Sequence, residues 1–166
     1  MRIVAKGELR YLRMVNAVDN RNRMITTLLN GTNLALKQVV PVEHTISKPN
    51  LIKDAINVRF GVLIGIVGDL KGKLVLAGDI HMFGLIGEKM FGMEVTGDML
   101  SSFSGEFGNM LAGSISTNIA SEGISIDITS PSLIEGQAKI SGFKLAIQTK
   151  VSFADLGDVD IYLMID

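Results

Sequence analysis

LSSFSGEFGNMLAGSISTN, residues 100–118, is the stretch around which the chain organises itself. Wound as a helix at about 100° per residue, it places Leu100, Phe103, Phe107, Leu111 and Ile115 on one side, with Met110 at the margin. Ser102, Gly105, Glu106, Asn109, Gly113 and Ser116 fall on the other side. A solvated helix face usually carries several Lys, Glu and Arg, because long side chains cost a helix little. This face instead offers one carboxylate and one amide a turn apart, set among glycine and serine. Glycines at 105, 108 and 113 each cost roughly 0.8–1 kcal/mol relative to alanine. Close approach of another surface would offset that cost. The stretch therefore reads as a docking face with two working side chains.

Composition narrows what such a face can do. The 166 residues suit a single domain able to bury a core without staples. There is no Cys, which excludes a disulfide framework and a Cys-ligated zinc site. With only His44 and His81, neither a His-rich metal site nor a Ser-His-Asp triad is expected. The net charge of −1 argues against a general affinity for nucleic acid. The longest apolar run, Phe60 to Val67, is broken by Gly61 and Gly65 and is far short of the roughly 20 residues needed to span a bilayer. A soluble, cytoplasmic protein is expected, with no membrane insertion.

Away from the central stretch, the chain reads as follows. Residues 1–20 form an extension of undefined structure, in which Arg2, Lys6, Arg10 and Arg13 mix with Ile3, Val4, Leu9, Tyr11 and Leu12. A strand, a basic amphipathic segment and an ordered tail all fit it. It is expected to be a plain extension, with electrostatic contact to an acidic partner or membrane surface as the functional alternative. Residues 21–166 form one domain. Ile25, Leu28, Leu29, Thr32, Ala35 and Leu36 predict a helix from Asn20 to about Gln38, with Asp19 or Asn20 as its cap. A strand over Val40–Ile46 follows, then a loop at Lys48-Pro49-Asn50.

Val58, Phe60, Val62, Ile64 and Ile66 alternate along a long strand, which Gly68-Asp69-Leu70-Lys71-Gly72 turns into a partner strand from Lys73 to Gly78. Asp79 caps a helix that runs through Phe91, with Met82, Leu85, Ile86 and Met90 inward and Gly92 as terminator. The central helix starts at Thr96 or Asp98 and ends at Glu122-Gly123; Ile124, Ile126 and Ile128 make a further strand. After a loop, strands over Phe143–Phe153 and Val159–Ile165 complete the chain. The fold class is α+β: a mostly antiparallel sheet of about six strands packed with about three helices.

A lone Glu-x-x-Asn is common by chance, but its surroundings here are not. Ser102-x-x-x-Glu106-x-x-Asn109-Met110-Leu111-Ala112-Gly113, followed after a gap of 21 residues from Asn109 by Pro131, resembles the signature of the CheX branch of the CheC/CheX/FliY chemotaxis phosphatases. The order of the predicted elements from Asn22 to Ile165 is also similar to that of CheX. The resemblance implies a phosphatase acting on the aspartyl phosphate of a CheY-type receiver, with Asn109 orienting the attacking water and Glu106 pairing with the receiver's lysine. Ser102, Gly105 and Gly113 would lie under the docked partner. No cofactor or metal of the protein's own is implied, since the Mg²⁺ belongs to the receiver. The resemblance also implies a homodimer joined through sheet edges. The early helix has no acid three residues before Asn30 or Asn33, so one site is expected rather than the two of CheC. Gly105 and Gly108 depart from the larger residues common in family helices. A non-catalytic receiver-binding domain and a flagellar-switch scaffold remain the alternatives.

Overall fold

Strand β3 (Ile56–Gly68) is the axis of the sheet, and the computed structural model describes it within residues 6–166. Along one edge it pairs with β4 (Gly72–Ala77) from Gly61 to Ile66. Along the other it takes β6 (Ser132–Ile140) over Ile56–Leu63 and β5 (Ile126–Ile128) over Ile66–Gly68. Beyond β4 come β8 (Gly157–Ile165) and then β7 (Leu145–Phe153), whose far edge carries two short strands, β1 (His44–Ile46) and β2 (Asn50–Ile52). All seven pairings are antiparallel. The α+β class holds, with eight strands among the described residues where about six were expected.

Among the described residues three helices, α1 (Lys6–Val39), α2 (Ile80–Phe91) and α3 (Asp98–Ala120), cover one face of the sheet. Their buried side chains meet Phe60, Val62, Ile64, Ile66, Leu74, Leu76, Ile161 and Leu163 in the main core. The expectation that Val58 joins this set fails: the facing of β3 changes between Val58 and Phe60, where β6 carries one extra residue opposite it. Ile56 and Val58 thus join Val75, Ala77, Ala146, Tyr162 and Met164 in a smaller cluster on the opposite face.

The extension before residue 20 is helical from Lys6, so neither Asp19 nor Asn20 caps α1 and a strand there is ruled out. The positions of Arg2, Ile3 and Val4 lie outside the described residues. Two predicted loops are strands. Asn50–Ile52 pairs with Gln148, Ile147 and Ala146, and the segment after Pro131 becomes β6. The latter could not be seen in the sequence because Leu133, Glu135, Gly136 and Gln137 of that strand are all exposed, leaving no alternation to detect. The strand predicted over Val40–Ile46 is reduced to His44–Ile46. α2 matches its forecast: the Asp79 side chain accepts from the His81 N–H at 2.8 Å, and Gly92 closes the helix at φ 71°. Phe83, fully buried in that helix, was not foreseen as inward.

Candidate functional site

α3 is held down by its apolar side. Phe103, Phe107, Leu111, Ile115 and Ile119 are buried, and Phe103 and Phe107 stack at 5.8 Å between ring centres. Gly108 faces inward as well. A Cβ there would stand 2.8 Å from Val62 Cγ1 and 3.2 Å from Ile64 Cδ1, so this glycine lets the helix lie directly on β3. The approaching surface is the protein's own sheet, which corrects the idea that every glycine of α3 serves docking. At Gly113 a Cβ would meet nothing within 4 Å, and at Gly105 its nearest neighbour would be Pro131 Cγ at 3.9 Å.

The polar side chains of α3 divide into two groups. Ser101 donates to Glu135 Oε1 at 3.4 Å, Ser104 to the Leu100 carbonyl at 2.7 Å and Ser114 to Gln38 Oε1 at 2.7 Å. Ser116 donates to the Ile126 carbonyl at 3.2 Å, and Asn118 donates to both the Gly31 carbonyl and Gln38 Oε1 at 3.1 Å. Apart from Ser104, whose bond stays within α3, these groups tie the helix to its neighbours. Ser102, Glu106 and Asn109 are exposed, and none makes a side-chain hydrogen bond among the described residues. Asn109 and Asn118 thus illustrate two uses of one residue type on one helix: the first free, the second spent on packing.

A groove of about 510 Å³ runs beside the free trio, lined by Ser101, Ser102, Gly105, Glu106, Asn109 and, from the other bank, Ser130, Pro131 and Leu133. Leu133 comes from the start of β6, and Pro131 is the residue just before that strand. Sequence reasoning had Pro131 only as a spacing mark; Leu133, 37% exposed, had no signal at all. A larger hollow of about 1090 Å³ lies elsewhere, lined by Arg59, Asp79, Lys139, Asp160 and Tyr162 among others. It contains none of the predicted site residues. A shallow groove beside a helix is nonetheless the better shape when the substrate is itself a protein surface. No group of three or more His, Cys, Asp or Glu among the described residues is arranged to hold a metal ion.

An antiparallel sheet covered on one face by helices is the fold shared with CheC-like proteins. Residues 60–146 match the family model described as chemotaxis phosphatase CheX, and the chain belongs to that family. It is 26% identical over 148 residues to the CheY-P phosphatase CheX of Thermotoga maritima, covering 86% of this chain and 96% of that one. Among solved structures it is similar to a CheC-like superfamily protein from Shewanella sp. PV-4, with a TM-score of 0.70 and 25% identity over 86% of this chain and 96% of that one. The fold is also shared with the CheX of a CheX–CheY–BeF₃–Mg²⁺ complex from Borrelia burgdorferi, with a TM-score of 0.69 and 23% identity over 85% and 96% of the two chains.

Proposed function

We propose that this protein hydrolyses the aspartyl phosphate of a CheY-type response regulator, with α3 as the surface that enters the receiver's active site. The observation that carries this is the free pair on α3: Glu106 and Asn109, one turn apart, exposed and without internal hydrogen bonds, on a helix whose other polar groups are mostly bonded. The family, and a relative named for CheY-P hydrolysis, support the substrate class.

Asn109 serves as the positioning amide. Its carbonyl oxygen accepts from a water while its N–H₂ donates to a phosphoryl oxygen, adding no charge beside the phosphate. The water oxygen bonds to phosphorus in line with the breaking P–O bond. The receiver's aspartate leaves as carboxylate, and the water's proton passes to the released phosphate or to solvent. In phosphoryl transfer, orientation and charge stabilisation supply nearly all the catalysis. An acyl phosphate already hydrolyses unaided, so a gain of about 10²–10³, or roughly 3–4 kcal/mol, suffices. Glu106 pairs with the receiver's lysine and sets the register of docking, an interaction that favours orientation over affinity. Ser102 borders the pair one turn earlier, and Gly105 and Gly113 keep the surface low under the partner. Mg²⁺ is held by the receiver, and the phosphatase works as a cytoplasmic homodimer.

The test is phosphate release from a phosphorylated CheY-type receiver. Asn109→Ala should cut turnover at least about tenfold with an unchanged unfolding midpoint, and Glu106→Ala should lower both rate and apparent affinity. Equal rates for wild type and Asn109→Ala would reject the assignment. Receiver binding without any turnover by the wild type would make the protein a non-catalytic binding domain.

A further inference from the structure

Among the described residues, the N-terminal half of α1 meets the rest of the fold only where Arg21 Nη2 donates to the Asp166 carbonyl at 3.5 Å. Lys6–Arg23 are exposed throughout, 18 residues or roughly 27 Å of helix at about 1.5 Å per residue. Only the later half of α1 packs: Gly31 lies under Ile119, and Gln38 bonds to Ser114 and Asn118. A helix that projects into water normally carries charge all round. This one exposes Leu9, Tyr11, Leu12, Met14, Val15 and Val18 by 37–65%.

Those six side chains are not scattered. At about 100° per residue they share one arc of about 220°, running Met14, Val18, Tyr11, Val15, Leu12, Leu9. Lys6, Arg10, Arg13 and Arg21 fall together in the remaining arc, Arg21 bordering the apolar side at Met14 and Arg13 at Leu9. Glu8 and Asp19 interrupt the apolar arc near its middle, and Asn16, Asn22 and Arg23 also fall within it, so the arc is cleanest over Leu9–Val18. Lys6–Arg23 has five cations against two anions, whereas the other residues carry 11 Lys and Arg against 15 Asp and Glu. Positive charge is therefore concentrated on the one element that leaves the body.

We propose that this half-helix lies on an anionic lipid bilayer, its apolar arc in the headgroup boundary and its arginines turned to the lipid phosphates. Amphipathic helices with basic borders bind in this way without spanning, and long Arg stems let the charge reach the interface while their methylenes stay in apolar surroundings. No helix among the described residues is long and apolar enough to cross a membrane, so the contact is with the surface. A second copy of the helix fits less well. A coiled-coil seam here contains Tyr11, Val15 and Val18, bounded by Glu8 and Asn22 at the next seam positions. Leu9 lies outside that seam and Leu12 only flanks it, yet both belong to the apolar arc. An acidic protein would answer the cations but leave that arc wet.

Co-sedimentation of the full chain with vesicles tests the proposal. With mixed phosphatidylglycerol and phosphatidylcholine, binding should be at least about tenfold tighter than with phosphatidylcholine alone, and should weaken in 0.5 M salt as screening shortens. Each cation near an anionic surface is worth about fivefold, so Arg10→Gln with Arg13→Gln should weaken binding roughly 25-fold. Leu12→Asp with Val15→Asp should remove it. Both variants should keep the wild-type unfolding midpoint, since the altered side chains touch nothing in the body. Absence of vesicle binding, or equal binding to neutral and anionic vesicles, would overturn the proposal. So would a concentration-dependent dimer, abolished by Leu12→Asp with Val15→Asp, in a protein that does not pellet with lipid.

Discussion

Single residues on α3 do opposite things according to the side they face. Gly108 and Gly113 are alike in the sequence, but a methyl group at 108 would press on Val62 and Ile64, whereas at 113 it would meet open space. Gly108→Ala should therefore destabilise the protein by about 1–3 kcal/mol through overpacking. Gly113→Ala should stabilise it by about 0.5–1 kcal/mol, since helix propensity alone changes. Chemical denaturation with unchanged slope would measure both, and equal effects would show that the two glycines share one environment. Asn109 and Asn118 pose the same problem. Periodicity puts both on polar sides of the helix, yet Asn118 reaches across to Gly31 and Gln38 while Asn109 meets solvent. Spacing alone could not separate them; the contact with α1 does.

Elements with local causes were the readable ones. α2 has its cap, its inward spacing and its terminating glycine all in adjacent sequence, and each is where the local chemistry puts it. Asp79→Ala should cost about 1 kcal/mol, because the orphan N–H of His81 loses its acceptor; a thermal or denaturant midpoint unchanged from wild type would contradict that. The turn between β3 and β4 was equally plain, with Gly68 at φ 116° and the Asp69 carboxylate accepting from the Ser125 N–H at 2.8 Å. β6 and β2 were not readable. Their hydrogen bonds go to strands distant in the chain, and β6 has little buried surface to betray it. α1 exceeded its forecast because the stripe that seats Leu28, Thr32, Ala35 and Leu36 stops where the helix does not.

The whole molecule is a sheet with unequal faces, one under three helices and the other only partly covered. Tyr162 belongs to the second, almost entirely buried beside Ala77 and Met164. Burial, and next the nearby Asp160 carboxylate, raise its phenol above the ordinary value of 10.0. The folded protein then keeps a proton that the unfolded chain gives up. Its contribution to stability is full below pH 10.0 and is lost as pH rises through the higher folded value. Tyr162→Phe should flatten the alkaline fall in stability, as measured by denaturant midpoints between about pH 9 and pH 11.5. An identical fall in the variant would assign it to other groups.

Sequence by itself determined what depends on near neighbours: the helical period of α2 and α3, the apolar side that buries Phe103, Phe107 and Leu111, the hairpin turn, and the candidate pair Glu106 and Asn109 with its family signature. Tertiary structure alone decided the second bank of the groove, the inward use of Gly108, the change of facing at Arg59 that puts Val58 on the other face and the bare half of α1. The division has a physical origin. Periodicity and capping act within one or two helical turns, whereas partners in space are chosen by sheet register and packing across a hundred residues, which leave no mark on the local pattern.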